Sequence, residues 1–140
     1  VLSKKCIIVV EIKSVHFLNA GIEKNVLEIV KEFNFEENCI ISSFNPLILW
    51  RIRKLNPNIL TAFLWSKTDP QFSLNSPLWV WLCRPHAFHA DIEHLDENLM
   101  SWIHRKKMSV LTFTVKTSSD LAKAKYLGVD GIIMDDPYLN

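Results

Sequence analysis

Glycine is scarce, with three in 140 residues, and no glycine-rich loop of the kind that cradles phosphates can be built from them. Cysteine is equally rare. The three thiols, Cys6, Cys39 and Cys83, cannot all pair with one another and lack the Cys-x-x-Cys spacing of a zinc site. Two of them sit inside apolar runs, so buried reduced thiols in a cytoplasmic protein are expected. Charge of one sign is missing as well. The 16 basic and 15 acidic residues leave a net charge of +1, which offers no strong field for a nucleic-acid backbone. The best apolar run, Cys6–Val10, is about a quarter of the ~20 residues of a spanning helix, so no transmembrane segment is expected. The chain opens Val-Leu-Ser-Lys-Lys with neither an initiating Met nor the charged, apolar and small-residue succession of a secretory leader. Either a segment has been removed or the sequence starts in mid-protein, and the motifs further on favour the second.

What is present is an ordinary globular mixture, 49% hydrophobic and 22% charged, which excludes disorder. The length suits one domain over residues 1–140, burying roughly 68% of its unfolded surface. Cys6–Ile12 is a continuous β-branched run, the mark of a strand buried on both faces. Ile22, Val26, Ile29, Val30 and Phe33 recur at helical spacing and predict a helix over about Gly21–Phe33. Cys39–Ser43 reads as a second strand. Asn45-Pro46 reads as a helix cap followed by proline at the first helical position, and that helix stops before Asn56-Pro57.

Leu60–Trp65 is a third strand. Lys67–Leu82 breaks the rhythm as a short insertion with a brief helix near Leu78–Leu82. A weak strand at Ala87–Ala90 precedes a helix over about Leu95–Lys106. Val110–Val115 is a fifth strand, Ser118, Ser119 and Asp120 cap a helix through Leu127 with Gly128 as its C-cap, and Gly131–Met134 is a sixth strand.

Strands alternating with helices predict an α/β fold built on a parallel sheet. A closed (β/α)8 barrel typically needs ~250 residues, so about six strands in this length make either an open doubly wound sheet or an incomplete barrel. Either way, ligands bind at the carboxyl ends of the strands. Polar residues gather there: Glu11 and Lys13, Ser42 and Ser43, Trp65 and Ser66, His89 and Asp91, Thr114 and Lys116, Asp135 and Asp136.

Glu11 and Lys13 are the sharpest pair, because residues two apart on a strand point to one side. The carboxylate suits a hard divalent cation and the ammonium suits a phosphate or a developing negative charge. A solvated ion pair at a strand end is the plain alternative. His86-Ala-Phe-His89-Ala-Asp91 resembles a metal cluster, but His86 and His89, three residues apart on an extended segment, face opposite sides, and only a loop conformation would bring them together. One histidine at the strand ends and one that packs or sits on the surface is the simpler account. His16 and His94 read as loop residues. Trp50 and Trp102 fall on apolar helix faces and read as core, while Trp79 and Trp81 are open.

Taken in order, four segments resemble the successive motifs of the glycerophosphodiester phosphodiesterase family: Val10-Glu11-Ile12-Lys13, Ile41-Ser42-Ser43-Phe44-Asn45-Pro46, Phe113-Thr114-Val115-Lys116, and Gly128-Val129-Asp130-Gly131-Ile132-Ile133-Met134-Asp135-Asp136-Pro137. The resemblance covers nearly the whole chain and is most specific in its last segment.

It implies a (β/α)8 barrel of the TIM type that hydrolyses glycerophosphodiesters to an alcohol and glycerol 3-phosphate. A divalent cation, Mg or Ca, and two catalytic histidines would be needed. It further implies that Glu11 is a metal ligand, that Lys13 faces the phosphate in catalysis, and that Phe113 lines the site where tryptophan is common. His89 and Asp135 are the further rim candidates. Lys116 and Met134 depart from the family's usual asparagine and threonine.

The family's His-Arg, Glu-x-Asp and His-Asp motifs, which belong to its first two strands, are not found ahead of Glu11. The single His-Arg, His104-Arg105, falls on a helix after the wrong strand. The resemblance thus implies an incomplete barrel holding six of eight βα units, inactive alone. Its partners would be a glycerophosphodiester substrate and either the N-terminal segment or a second copy at the open sheet edges, with no nucleic acid. A phospholipase-like relative and a non-catalytic barrel remnant that binds a partner are the alternatives.

Overall fold

The computed structural model of the chain describes residues 6–13, 21–68, 78–136 and 138. Strands β1 (Ile8–Glu11), β2 (Cys39–Ser43), β3 (Leu60–Trp65), β4 (Ala87–Asp91), β5 (Ser109–Phe113) and β6 (Gly131–Ile132) alternate with helices α1 (Gly21–Glu32), α2 (Pro46–Leu55), α3 (Leu78–Cys83), α4 (Glu97–Arg105) and α5 (Ser118–Leu127). The βα rhythm expected from the apolar runs is therefore the rhythm observed. Much of the expected insertion, residues 69–77, and the expected loop residue His16 lie outside the described residues. The chain forms two compact units, Val1–Phe63 with Pro70–Pro85, and Leu64–Asp69 with His86–Asn140.

In the first unit β1 runs parallel to β2, with Val10 opposite Ile41 and Glu11 opposite Ser42. β2 runs parallel to β3, with Ser43 opposite Phe63. Ile41, Ile48, Ile52 and Ile59 make the centre of a core between these strands and helices α1 and α2. β2 and β3 are buried along nearly their whole length, but β1 is not the doubly buried strand its apolar run predicts: its residues alternate between half-buried and exposed, with Val9 on the open side.

The start of α2 is set by a short relay. The buried Ser43 hydroxyl donates to the Ile12 carbonyl at 2.8 Å and accepts from the Asn45 amide at 3.1 Å. The Asn45 side chain then caps the helix by accepting from the Leu47 amide at 3.0 Å, with Pro46 in the first turn. Asn–Pro at this point does what its chemistry predicts: one oxygen for an orphan amide, one ring that needs no donor. Glu23 on α1 is fully buried and holds Arg51 of α2 in an ion pair at 2.5 Å.

In the second unit β4 pairs with β5 along five residues, Asp91 lying opposite Phe113. β5 pairs with β6. Phe88 on β4 meets the Trp102 ring of α4 edge-on, 6.0 Å between centroids, and Trp65 lies 6.1 Å from Phe88. Ile92, Val115 and Ala124 form a second core beneath α5. Gly131 has Leu111 where its own β-carbon would stand, with Cγ 3.0 Å away. Absence of a side chain there permits the close approach of β6.

The structure corrects several expectations. Strand β5 stops at Phe113 rather than Val115, because Thr114 turns into the left-handed region at φ 64. Helix α5 is capped by Thr117, whose hydroxyl accepts from the Asp120 amide, and Asp120 returns the bond in a capping box. Ser118 and Ser119, expected in that role, lie within its first turn, while the expected Gly128 C-cap is present at φ 66. β6 has two residues where four were expected, although the Ile133 amide still donates to the Thr112 carbonyl at 2.8 Å. Trp50 is not core. The buried side of α2 is formed by Ile48, Leu49 and Ile52, and the indole sits beside it in solvent. Of the three free thiols, Cys39 and Cys83 are buried as expected but Cys6 is exposed.

Candidate functional site

Glu11 closes β1 and Lys13 stands two residues on, at the carboxyl end of a strand in the first unit. Their side chains come together, Nζ to Oε1, at 3.9 Å. The Ile12 between them is buried, and its amide donates to the Ser42 carbonyl at 2.8 Å. Sheet pairing thus continues past Glu11 and fixes the direction of both flanking side chains. Lys13 has 82% of its side chain exposed and Glu11 35%. An ion pair so open to water contributes little to stability, which leaves both groups available to a ligand. A carboxylate and an ammonium side by side can hold a cation and a phosphate oxygen, respectively.

The other candidates lie in the second unit. Phe113, the last residue of β5, is half-buried opposite Asp91, and Asp135 is exposed beyond β6. His89 is not at the strand end. β4 continues to Asp91, so the imidazole sits in mid-strand and is 0% exposed. Neither of its ring nitrogens has a hydrogen-bond partner among the described residues. Burial pushes its pKa down to about 4, so it is a neutral ring at ordinary pH. His86, on the opposite side of the strand's pleat, is exposed.

One group escaped the sequence. Asp91, Glu93 and His94 bring their ligand atoms within 4.8 Å of one another. A single 3-10 turn at Ile92–His94, capped by Asp91, folds the three together, and a strand-period reading of Asp91-Ile92-Glu93-His94 hides this. The Asp91 carboxylate is already used: it accepts from the Ser66 hydroxyl at 3.2 Å and from the Glu93 amide at 3.1 Å. Lys123 donates to the Ile92 and Glu93 carbonyls at 2.7 and 3.2 Å, which brings a positive charge beside the group.

A divalent cation, as expected from the family resemblance, finds a suitable hard oxygen in Glu11. One carboxylate is too few for a site, since such ions take several oxygens. Among the described residues the one cluster of three or more candidate ligands is Asp91, Glu93 and His94, and Glu11 is not in it. Glu11 therefore fits as a single ligand of a larger set, not as a complete centre.

Parallel βα units with polar side chains at the strand ends define an α/β protein of the (β/α)8-barrel fold class, with six such strands among the described residues. A Silicibacter pomeroyi protein, described as a candidate glycerophosphoryl diester phosphodiesterase, has the same fold. Its TM-score is 0.80 at 24% identity, over 94% of this chain and 48% of that one. An Oleispira antarctica phosphodiesterase, solved with the product sn-glycerol-3-phosphate, aligns with a TM-score of 0.69 at 21% identity, over 88% of this chain and 49% of that one.

The chain belongs to the glycerophosphoryl diester phosphodiesterase family, whose model matches residues 2–139. A glycerophosphodiester phosphodiesterase of Caldanaerobacter subterraneus is 33% identical over 136 residues, 96% of this chain and 54% of that protein. The chain spans about half the length of the curated relatives it matches.

Proposed function

We propose that this chain is part of an enzyme that hydrolyses glycerophosphodiesters to an alcohol and glycerol 3-phosphate. The observation that carries this reading is the family match over residues 2–139, with Glu11 and Lys13 paired at the carboxyl end of β1. Lys13 is assigned to the phosphate, where its ammonium offsets charge that grows on the phosphoryl oxygens as water adds and the ester oxygen departs. Glu11 is assigned as one ligand of a divalent cation, magnesium or calcium, whose chemistry when bound is to neutralise charge on the phosphodiester. Phe113 and Asp135 are proposed to line the rim.

The proton that leaves water and the proton that reaches the departing alkoxide need an acid–base pair. His89 is a poor member of that pair, because its ring is sealed from solvent in mid-strand. The pair and the other ligands are therefore assigned to residues outside those described. One domain over residues 1–140 remains the proposed organisation. A cytoplasmic setting is proposed too, supported by three free thiols. No helix among the described residues is long and apolar enough to cross a membrane.

The test is release of glycerol 3-phosphate from glycerophosphocholine by the full-length protein. Lys13→Ala is expected to lower kcat/KM by about 10²–10³, the usual cost of removing one group that stabilises developing charge. Unchanged turnover would remove Lys13 from the reaction. Titration of the chain alone with Mg²⁺ or Ca²⁺ is expected to give weak binding or none. Tight binding abolished by Glu11→Gln would mean that these 140 residues already hold a complete ligand set.

A further inference from the structure

Helix α2 ends in Arg53, Lys54 and Leu55, and the chain leaves α3 through Arg84. The two helices pack together within the first unit and leave an open groove of about 440 Å³, lined by Trp50, Arg53, Lys54, Trp81 and Arg84 among others. Among the described residues no acidic side chain lines it. The described carboxylate recorded beside the end of α2 is Glu36, which accepts from the Asn56 side chain at 3.4 Å just beyond the helix.

The cations are held in place rather than scattered. Arg84 takes the left-handed backbone conformation at φ 43, and its carbonyl accepts from the Arg53 guanidinium. The Lys54 ammonium lies 5.8 Å from the centroid of the Trp50 ring.

The aromatic side of the groove is unusual for a surface in water. Trp81 is 74% exposed, Leu55 53% and Trp50 40%. Indole rings prefer the boundary between an apolar and a polar phase. Lysine and arginine beside such rings prefer a negatively charged partner.

A second copy of this chain set face to face on the groove would bring cation against cation, since a two-fold contact apposes the same surface. A nucleic acid would ask for more than three cations on a chain whose net charge is +1. We propose that the Trp50–Trp81 groove docks the protein on an anionic phospholipid bilayer. The indoles sit at headgroup level, and Arg53, Lys54 and Arg84 face the lipid phosphates.

α2 starts after the carboxyl end of β2 and ends ahead of β3. Its last turn therefore lies at the amino ends of the first unit's strands, away from Glu11 and Lys13. Docking there would leave that strand end facing water, so this inference stands apart from the proposed hydrolysis and the two can fail separately.

The test is co-sedimentation of the full chain with phosphatidylcholine vesicles, with and without phosphatidylglycerol, at low and at physiological salt. Binding is expected only to the anionic vesicles and is expected to weaken with salt. Each of Arg53→Glu, Lys54→Glu and Arg84→Glu should lower affinity about fivefold or more. Trp81→Ala should lower it several-fold, roughly the effect of withdrawing one interfacial indole. The pair Arg105→Glu and Lys106→Glu, on exposed residues of the second unit, should leave binding unchanged.

Equal binding to neutral vesicles would overturn the proposal. So would no binding at all, an equal loss in the Arg105/Lys106 control, or binding to heparin as tight as to the vesicles.

Discussion

His89 is the residue whose environment departs furthest from what its type prefers. A histidine with both ring nitrogens unpartnered and no exposure must stay neutral, and its pKa is accordingly lowered from 6.5 to about 4. Between those values the unfolded chain binds a proton that the folded chain refuses. Stability therefore rises with pH across that window. The contribution is fully present above 6.5 and gone below 4, amounting to about 3 kcal/mol. Urea unfolding between pH 4 and 7 should show this slope, and His89→Leu should flatten it. A variant that keeps the full slope would assign it to the carboxylates instead.

The same residue marks a limit of the sequence. Alternation along β4 correctly separates His86 from His89, because period two is all that argument needs. Whether a histidine stands at the strand end or inside it depends on where the strand stops, and nothing in Phe88-His89-Ala90-Asp91 announces that.

At the scale of elements, what was legible is what local chemistry determines. Continuous β-branched runs gave the strand cores, and Asn45-Pro46 and Gly128 gave a helix start and a helix end to the residue. The misplacements occur where tertiary structure overrides propensity. Thr114 adopts a left-handed φ that a β-branched residue seldom takes, so Val110–Val115 reads as an uninterrupted strand although it breaks after Phe113. Asp91, Glu93 and His94 converge through one 3-10 turn that an extended reading cannot contain. Trp50 occupies an apolar position whose neighbours fill the core without it.

The α5 cap offers a direct check at this scale. Thr117 and Asp120 satisfy each other's orphan amides, at 3.1 Å from the Asp120 amide to the hydroxyl and 2.9 Å from the Thr117 amide to the carboxylate. The Lys116 amide also donates to Asp120, at 3.1 Å. Thr117→Ala should therefore cost about 1 kcal/mol of stability, read as a shift of the denaturant midpoint at constant slope. Ser119→Ala, two positions into the helix, should cost much less, and equal losses would mean that the capping box is not what starts the helix.

At the scale of the molecule, β1 is paired on one side with β2, and β6 on one side with β5. Each leaves a row of backbone donors and acceptors that no strand among the described residues satisfies. Ile7 and Val9, on or beside β1, are exposed, and so are Ile22 and Ile29 of α1 and Phe33 just after it. Strand edges of this kind recruit other chains, and exposed apolar side chains add to the drive. The chain alone is therefore expected to associate through the β1 edge and to show no turnover of glycerophosphocholine. Light scattering across a concentration series should report dimers or larger species. Replacing Val9 with Lys, which places a charge on the edge strand, should shift the population toward monomer without lowering the denaturant midpoint. A monomer at high concentration in the unmodified chain would mean that the edge is already covered. A monomer that also released glycerol 3-phosphate, and lost this with Lys13→Ala, would place the complete acid–base and ligand set within these 140 residues.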